Sequence, residues 1–264
     1  MSLRYHVVSL AAVFVALGVG MLVGATMIGD DGILRQQEAM IERLRLDFDK
    51  LARDRDRLAS ELAAALRFQE ESLPHLVGGR LAGSVVCAVV LPGVGSEAVR
   101  NLSRVIETAG GRVGSIATVS ERALAEVDPL EMAGWMNVLV ECDAAKVKAM
   151  AGSGLVHVRV SAKEKPGSVV VIAAEPDPAG VSQRAVGAFV TSAKASGLRV
   201  VTGWLSMPSQ KGQRDRGEAH ALVVGAGTIP GAVAAVLALA GADGLFGTPP
   251  AQVMLPAVAG SDGV

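Results

Sequence analysis

Hydrophobic residues are most concentrated at the start of the chain. Residues 7–28 form a run of 22 consecutive residues without a charge. At about 1.5 Å per residue, a helix of that length spans the roughly 30 Å hydrocarbon core of a bilayer. Arg4 precedes the run, and Asp30 and Asp31 follow it. The positive-inside rule therefore predicts a single-pass anchor in the cell membrane, residues 1–29, with a cytoplasmic N-terminus and an extracytoplasmic C-terminal domain.

A cleaved signal peptide is the alternative interpretation of this run, with Val23-Gly24-Ala25 as the small-residue cleavage site. The run is longer than the ~7 to 15 apolar residues usual in such peptides, which favours the uncleaved anchor. The anchor also carries small residues at every fourth position, where another helix can approach closely. The general abundance of Ala and Gly explains this ladder equally well. Its members are Ala12, Ala16, Gly20 and Gly24.

The next segment has the heptad pattern of a coiled coil, and we predict a coiled-coil stalk over residues 30–79. Eight of the twelve a and d positions between residues 34 and 72 are hydrophobic. The a positions are Leu34, Ile41, Phe48, Arg55, Leu62 and Gln69, and the d positions are Gln37, Leu44, Leu51, Leu58, Ala65 and Ser72. The dense mixed charges between them are typical of a solvated helix face.

Arg55 is the charged exception in this hydrophobic seam. A buried cation there would set the register or oligomer number at a cost in stability, whereas the alternative is that its side chain extends out of a loose seam. No turn signal precedes Pro74 and Gly78-Gly79, so the segment cannot fold back on itself as a hairpin. We therefore predict a partner in another chain, giving a homo-oligomer, or in the chain's own globular domain.

Residues 80–257 alternate short apolar runs with helical patterns, and residues 258–264 are predicted to be a flexible tail. This alternation predicts an α/β fold with a mostly parallel sheet covered by helices on both faces. The predicted strands cover residues 84–91, 112–119, 136–141, 168–174, 198–203 and 219–224. The predicted helices are residues 96–109 capped by Ser96, a stretch capped by Ser120, 179–196 and 230–239. Residues 206–217 are polar and are predicted to form an exposed loop.

Composition narrows the range of functions. The net charge of -1 and a pI near 6.4 lack the basic surplus of a nucleic-acid-binding surface, so no nucleic-acid partner is expected. Aromatic residues make up only 3% of the chain, which predicts a core of small and β-branched side chains. Two cysteines are too few for a disulfide framework.

Two glycine-rich turns are the candidate ligand sites. Gly225-Ala226-Gly227-Thr228-Ile229-Pro230-Gly231 lies between a predicted strand and helix, where backbone N–H groups can bind a phosphate. Its GxGxxxG spacing departs from the dinucleotide fingerprint, and no acidic residue on a second strand follows it, so a structural turn is the favoured interpretation. The turn Pro92-Gly93-Val94-Gly95 is a weaker candidate.

Neither a metal site nor a catalytic site can be assembled from the sequence, so an enzyme is not expected and no cofactor is predicted. Cys142 has the carboxylates of Glu141 and Asp143 beside it, whereas Cys87 has no neighbouring carboxylate or imidazole. Both cysteines are interpreted first as buried residues on strands. A disulfide or a contact with a soft metal is the alternative. Met21 and Met27 have thioethers that suit Cu(I), although packing explains them too. The histidines lack ligand spacing; they are His6, His75, His157 and His220.

The chain begins with the run Ser2-Leu3-Arg4-Tyr5-His6-Val7-Val8-Ser9-Leu10-Ala11-Ala12-Val13-Phe14. This N-terminal motif resembles the start of the copper transporter family named for the mycobacterial copper transport protein B. The family's layout is similar throughout: a membrane helix, a coiled coil and an α/β domain. The run from Thr228 to Gly241, with Gly247-Thr248 and Leu255-Pro256, also resembles the family's closing segment.

The resemblance implies a role in copper homeostasis or efflux at the cell envelope, with copper as a partner, but it implies no particular metal ligands. Residues 112–165 are shorter and less typical than in the family. Gly244-Leu245-Phe246-Gly247 replaces the Gly-His-Tyr-Gly-like turn of family members, so the imidazole of that turn is missing here. The alternatives are an envelope scaffold without transport activity and, less favoured, a nucleotide-binding α/β enzyme.

Overall fold

The computed structural model of the protein describes residues 3–27, 30–160, 164–175, 179–206, 219–247 and 254–255, with the backbone alone at residues 3–5, 26, 27 and 30–36. The chain divides into two units, Met1–Leu66 and Arg67–Val264. The described residues of the first unit are helical, and the second unit contains the sheet.

The first unit begins with helix α1, Leu3–Met27. Within the described part of the chain, His6–Ala25 is the one segment whose length and hydropathy suffice to cross a membrane. Its apolar side chains, such as Phe14 and Met21, are exposed rather than packed in a protein core. The helix and its apolar character agree with the predicted anchor, while Ile28 and Gly29 lie outside the described residues.

Helix α2, Asp30–Val77, is continuous, as the missing turn signal predicted, and it runs through Pro74. Along the first unit, the a and d positions whose exposure is described are open to solvent. The large ones are Ile41, Leu44, Phe48, Leu51, Leu58 and Leu62. The structure therefore confirms the helix, and its apolar seam is exposed in the single chain, while a coiled-coil partner stays a prediction.

The second unit is built on one sheet whose described strands number seven, in the order β3-β2-β1-β4-β5-β6-β7. The strands are β1 Val85–Val90, β2 Arg112–Val119, β3 Val156–Val160, β4 Ser168–Ala173, β5 Arg199–Trp204, β6 Ala221–Val224 and β7 Gly244–Gly247. Only β3 is antiparallel to its neighbour among these strands. The predicted mostly parallel sheet is confirmed.

Helices cover both faces of the sheet, also as predicted. They are α3 Ser96–Thr108, α4 Glu121–Glu126, α5 Pro129–Glu141, α6 Ala144–Gly152, α7 Val181–Ala195 and α8 Ile229–Leu239. Val86 and Ala88 of β1 point into the core beneath α3 and α8, to which the end of α2 adds Leu73 and Val77. Cys87 and Val89 point to the opposite core beneath α4, α5 and α7. Because both faces of β1 and β4 are buried, these strands are apolar at nearly every position.

The strand predicted for residues 136–141 is wrong, because these residues form the last turns of α5. Asp128 caps this helix by accepting a hydrogen bond from the Leu130 N–H, and Pro129 occupies its first turn. The buried positions follow a helical period and are Met132, Trp135, Met136 and Leu139. A short apolar run has no period of its own, so the start signals upstream decide the structure.

The predicted cap of α3 is also wrong by one position. Gly95 is the N-cap, and Ser96 is the first helical residue, whose hydroxyl accepts from Arg100 instead of from the helix backbone. Ser120 does cap α4, with its hydroxyl accepting from the Ala123 N–H. Strands β3 and β7 and helix α6 were not predicted. The predicted loop beyond residue 206 and the tail at 258–264 lie outside the described residues.

Candidate functional site

The carboxyl ends of β1 and β4 form the switch point of the sheet, because the chain leaves β1 toward β2 and leaves β4 toward β5 on the opposite side. Doubly wound folds bind ligands at such a point. Here the loops are in direct contact, since a Cβ on Gly93 would lie 3.0 Å from the Cβ of Ala174. The Leu91 N–H also donates to the Ile172 carbonyl. The Pro92–Gly95 turn thus packs against protein at this point.

The turn from Gly225 to Gly231 makes similar internal contacts. A Cβ on Gly227 would lie 2.7 Å from Leu205, and a Cβ on Gly231 would overlap the carbonyl oxygen of Gly225. The carbonyl oxygen of Gly227 accepts a hydrogen bond from the Asn101 side chain of α3 at 3.1 Å. These glycines permit close approach between segments of the protein itself, which supports the structural turn.

The N-terminus of α8 has its own cap. The hydroxyl of Thr228 accepts from the Gly231 N–H at 3.2 Å and donates to the Gly225 carbonyl at 2.8 Å. The Thr228 oxygen therefore occupies the position on the Gly231 N–H that a phosphate oxygen would take. This geometry supports a structural role for the GxGxxxG sequence.

Cys87 is a fully buried thiol on β1, as the first interpretation predicted. Its sulfur accepts a hydrogen bond from the Ser115 hydroxyl at 3.2 Å. Burial raises the pKa of the Cys87 thiol to about 11; Ser115 opposes this shift and Cys142 adds to it. The group is therefore a neutral thiol at pH 7, and a soft metal would have to displace a tightly held proton to bind there.

Cys142 does not lie on a strand, which corrects the interpretation shared with Cys87. It caps the C-terminus of α5 with φ +54° and is only partly buried. Its sulfur lies 3.4 and 3.3 Å from the carbonyl oxygens of Leu139 and Glu164, and its single S–H proton is shared between these two acceptors. Partial burial raises its pKa, and the positive charge of Lys165 works against that change. Both cysteines are free thiols rather than a disulfide.

The carboxylates beside Cys142 already have protein partners. Glu141 accepts from the Lys146 ammonium at 2.6 Å, and that contact raises the pKa of Lys146. Asp143 caps α6 by accepting from the backbone N–H groups of Ala145 and Lys146. Nothing in this arrangement converges on the Cys142 sulfur as a ligand set.

The histidines are as dispersed in space as they are in sequence. His6 and His75 are exposed on α1 and α2, and His157 is exposed on β3. The Nδ1 of His220 accepts from the Val200 N–H at 3.1 Å, which fixes the proton of a neutral ring on Nε2. Across the described residues, no three His, Cys, Asp or Glu side chains gather as a metal site. Met21 is exposed on α1, and the side chain of Met27 lies outside the described part.

A groove that the sequence did not predict lies between α3 and the β2–β3 end of the sheet, and we call it the basic groove. It encloses about 560 Å³ and is lined by Arg100, Ser103 and Arg104 of α3, Val113 and Ile116 of β2, and Arg159 of β3, among others. Arg100 and Arg104 are one helical turn apart, a spacing that the sequence does show. Arg159 joins them only through the pairing of β3 with β2.

The described chain thus defines a class of protein in which an apolar N-terminal helix and a long polar helix precede a doubly wound α/β domain. Residues 1–137 match the family described as "Copper transport outer membrane protein, MctB". The match covers more than half of the chain, so the protein belongs to this family. The expected family resemblance is confirmed.

Individual relatives align over a shorter stretch. The proteins named "Copper transporter MctB" from Mycobacterium bovis (strain ATCC BAA-935 / AF2122/97) and from Mycobacterium tuberculosis (strain ATCC 25618 / H37Rv) are each 34% identical over 119 residues. The aligned stretch is 45% of this chain and 37% of each relative. The alignment therefore spans little more than a third of the relatives' length.

Proposed function

We propose that this chain is an envelope protein anchored by α1 in the cell membrane and acting in copper homeostasis or efflux. The observation that carries the proposal is the family match over residues 1–137, which includes α1, α2 and the first strands of the α/β domain. The relatives that align are named copper transporters. The α/β domain is proposed to lie outside the cytoplasm, because Arg4 precedes the uncharged run of residues 7–28 and Asp30 follows it.

Movement of copper across a membrane needs more than the one membrane helix found in the described chain. A single helix is about 10 to 12 Å wide with its side chains and encloses no path of its own. The proposed role therefore requires several copies or another protein. The exposed seam of α2 supports several copies, because a row of apolar side chains with charged neighbours is the pattern that coiled coils bury.

The proposal assigns no resident metal to the α/β domain and no enzymatic reaction to this chain. Cys87 is a neutral, hydrogen-bonded thiol, and the carboxylates beside Cys142 are engaged elsewhere. Copper is the cargo, and the assembly limits its amount inside the cell. The domain boundaries proposed from the sequence are an anchor at 1–29, a stalk at 30–79 and a globular domain at 80–257.

Cell copper content tests the proposed function. A strain without the protein should accumulate several times more copper than the parent under copper stress and should grow more slowly. The full chain should restore both values, while a chain without residues 1–29 should restore neither. Zinc content provides the matched control and should not change. Unchanged copper content in the strain without the protein would contradict the proposal and favour an envelope scaffold.

A further inference from the structure

The basic groove lies where α3 covers the β2–β3 end of the sheet only in part. On one face of the β2–β3 pair, Val119 and Val156 are buried in the core beneath α5. On the other face, Val113 and Ile116 are only half-buried and Arg159 is exposed. The groove therefore combines an apolar floor with a rim of guanidinium groups.

The charges in the groove favour an acidic occupant. Arg100, Arg104 and Arg159 come from two elements and face one space, while Glu107 is the acidic residue of the lining. The guanidinium of Arg104 also lies 3.9 Å from the carboxylate of Glu70. This long, exposed ion pair leaves the guanidinium able to bind another acidic group. An occupant that suits this groove has carboxylates around a hydrophobic side chain, because the floor is apolar.

The chain carries such a feature on the same unit, at the start of α5. Leu130 is 81% exposed, the largest value among the exposed large hydrophobic residues of the described chain. Glu126, Asp128 and Glu131 are exposed around it, and Arg122 pairs with Glu126. Capping and the helix dipole explain acidic residues at this position, but neither explains an exposed leucine. We call Leu130 and these three carboxylates the acidic knob.

We infer that the acidic knob of one chain docks into the basic groove of a second copy of this chain. Leu130 would cover Val113 and Ile116, and the knob's carboxylates would face the arginines of the rim. The knob lies on the α5 side of the sheet and the groove on the α3 side. The contact is therefore between different copies and runs head to tail, so that it propagates into a ring or a row of chains.

Crosslinking between two differently tagged full-length chains in the same membranes tests this contact. One chain carries Leu130→Cys and the other Ser103→Cys, both with Cys142→Ser so that Cys87 is the remaining native thiol. Under mild oxidation we expect a disulfide that joins the two tags. A matched pair with Lys148→Cys on exposed α6, in place of Ser103→Cys, should give at least about tenfold less product, because α6 does not line the groove.

Charge reversal then tests the chemistry of the contact. Arg104→Glu in the groove chain should lower the Leu130–Ser103 crosslink roughly tenfold, and Glu131→Arg in the knob chain should restore part of it. Far-ultraviolet circular dichroism of each variant verifies that the fold is intact. Equal crosslinking of the two cysteine pairs, absence of any crosslink, or indifference to charge reversal would each overturn the inference. A disulfide between the groove cysteine and a different protein, without one between the two tagged chains, would also overturn the inference.

Discussion

The hydroxyl of Ser115 donates a hydrogen bond to the sulfur of Cys87, which joins neighbouring strands β2 and β1 inside the core. The contact accounts for the polar group of Ser115, which is only 6% exposed and would otherwise lack water. Burial at this position makes ionisation of the Cys87 thiol unfavourable. The stability of the domain should therefore depend on the protonation of this thiol.

Alkaline pH should destabilise the domain through Cys87. Burial raises its folded-state pKa from the ordinary 9.0 to about 11, so the folded state holds the proton more tightly than the unfolded state. The stabilising contribution is complete below pH 9 and is lost as the pH rises to about 11. The shift corresponds to about 2 to 3 kcal/mol in the free energy of unfolding.

Chemical denaturation of the detergent-solubilised protein between pH 8 and pH 11 measures this effect. In Cys87→Ala the free energy of unfolding should decline less steeply with pH. In Cys142→Ala most of that decline should remain. The comparison uses slopes, because Cys87→Ala also removes packing contacts at every pH. The same slope in the wild type and in Cys87→Ala would show that other groups cause the alkaline loss.

Alanine at Gly231 should be strongly destabilising. Its Cβ would overlap the Gly225 carbonyl, and the turn would have to open against the Thr228 cap. We expect a loss of roughly 2 to 4 kcal/mol in the free energy of unfolding. Gly134→Ala on α5 is the matched control, because nothing beyond the adjoining helix backbone lies within 4 Å of its Cβ position and alanine favours helix. Thermal unfolding of both variants measures the difference, and equal stabilities would contradict the packed turn.

Polar substitutions in the α2 seam should dissociate the proposed oligomer. Each buried apolar seam residue contributes on the order of 1.5 to 3 kcal/mol, so changing Leu44, Leu51 and Leu58 to Gln removes most of the association energy. Arg55→Leu should strengthen the association or change the number of chains. Sedimentation in detergent measures both effects.

Leu46→Gln provides the control for the seam, since Leu46 is exposed but lies off the a and d positions. It should leave the oligomer intact. A wild-type chain that sediments as a monomer at high micromolar concentration would rule out the proposed seam.

The orientation of the chain should follow the charges around α1. Alkaline phosphatase fused after Val264 should be active, because that enzyme functions only outside the cytoplasm. Replacing Arg4 by Glu together with Asp30 and Asp31 by Lys should lower the activity by reversing the orientation. Fractionation of the envelope shows which membrane holds the protein. Sequencing of the mature N-terminus tests the anchor, since a start near Thr26 would indicate cleavage.

Copper should not bind tightly to residues 80–264. Cys87 is held as a neutral thiol, and Cys142 has carbonyl oxygens around it rather than a second sulfur or an imidazole. Titration of the detergent-solubilised protein with Cu(I) against a competing chelator measures the affinity. One equivalent of tightly bound Cu(I), lost when both cysteines are replaced by alanine, would show that the fold assembles a site there.

Several features follow from the sequence alone because their cause is local. An uncharged run of 22 residues makes the α1 helix apolar on every side, and the α2 heptads need only the helical period. The strands β1 and β4 are recognisable because residues buried on both faces leave a continuous apolar run. The glycines at 225, 227 and 231 indicate a tight turn, although only the structure shows that Leu205 and Gly225 occupy the space beside them.

Other features depend on residues that are far apart in the sequence, and these only the tertiary structure decided. The helix that includes residues 136–141 has a local start signal in Asp128 and Pro129, and only the burial of Met132 and Met136 in the core depends on the tertiary structure. The alternating Val156, Val158 and Val160 are typical of a strand, but the pairing of β3 with β2 is set by the tertiary structure. That pairing carries Arg159 to the groove facing Arg100 and Arg104. The basic groove is assembled from separate elements by tertiary packing. The sequence therefore shows its charged residues but not that they lie close together.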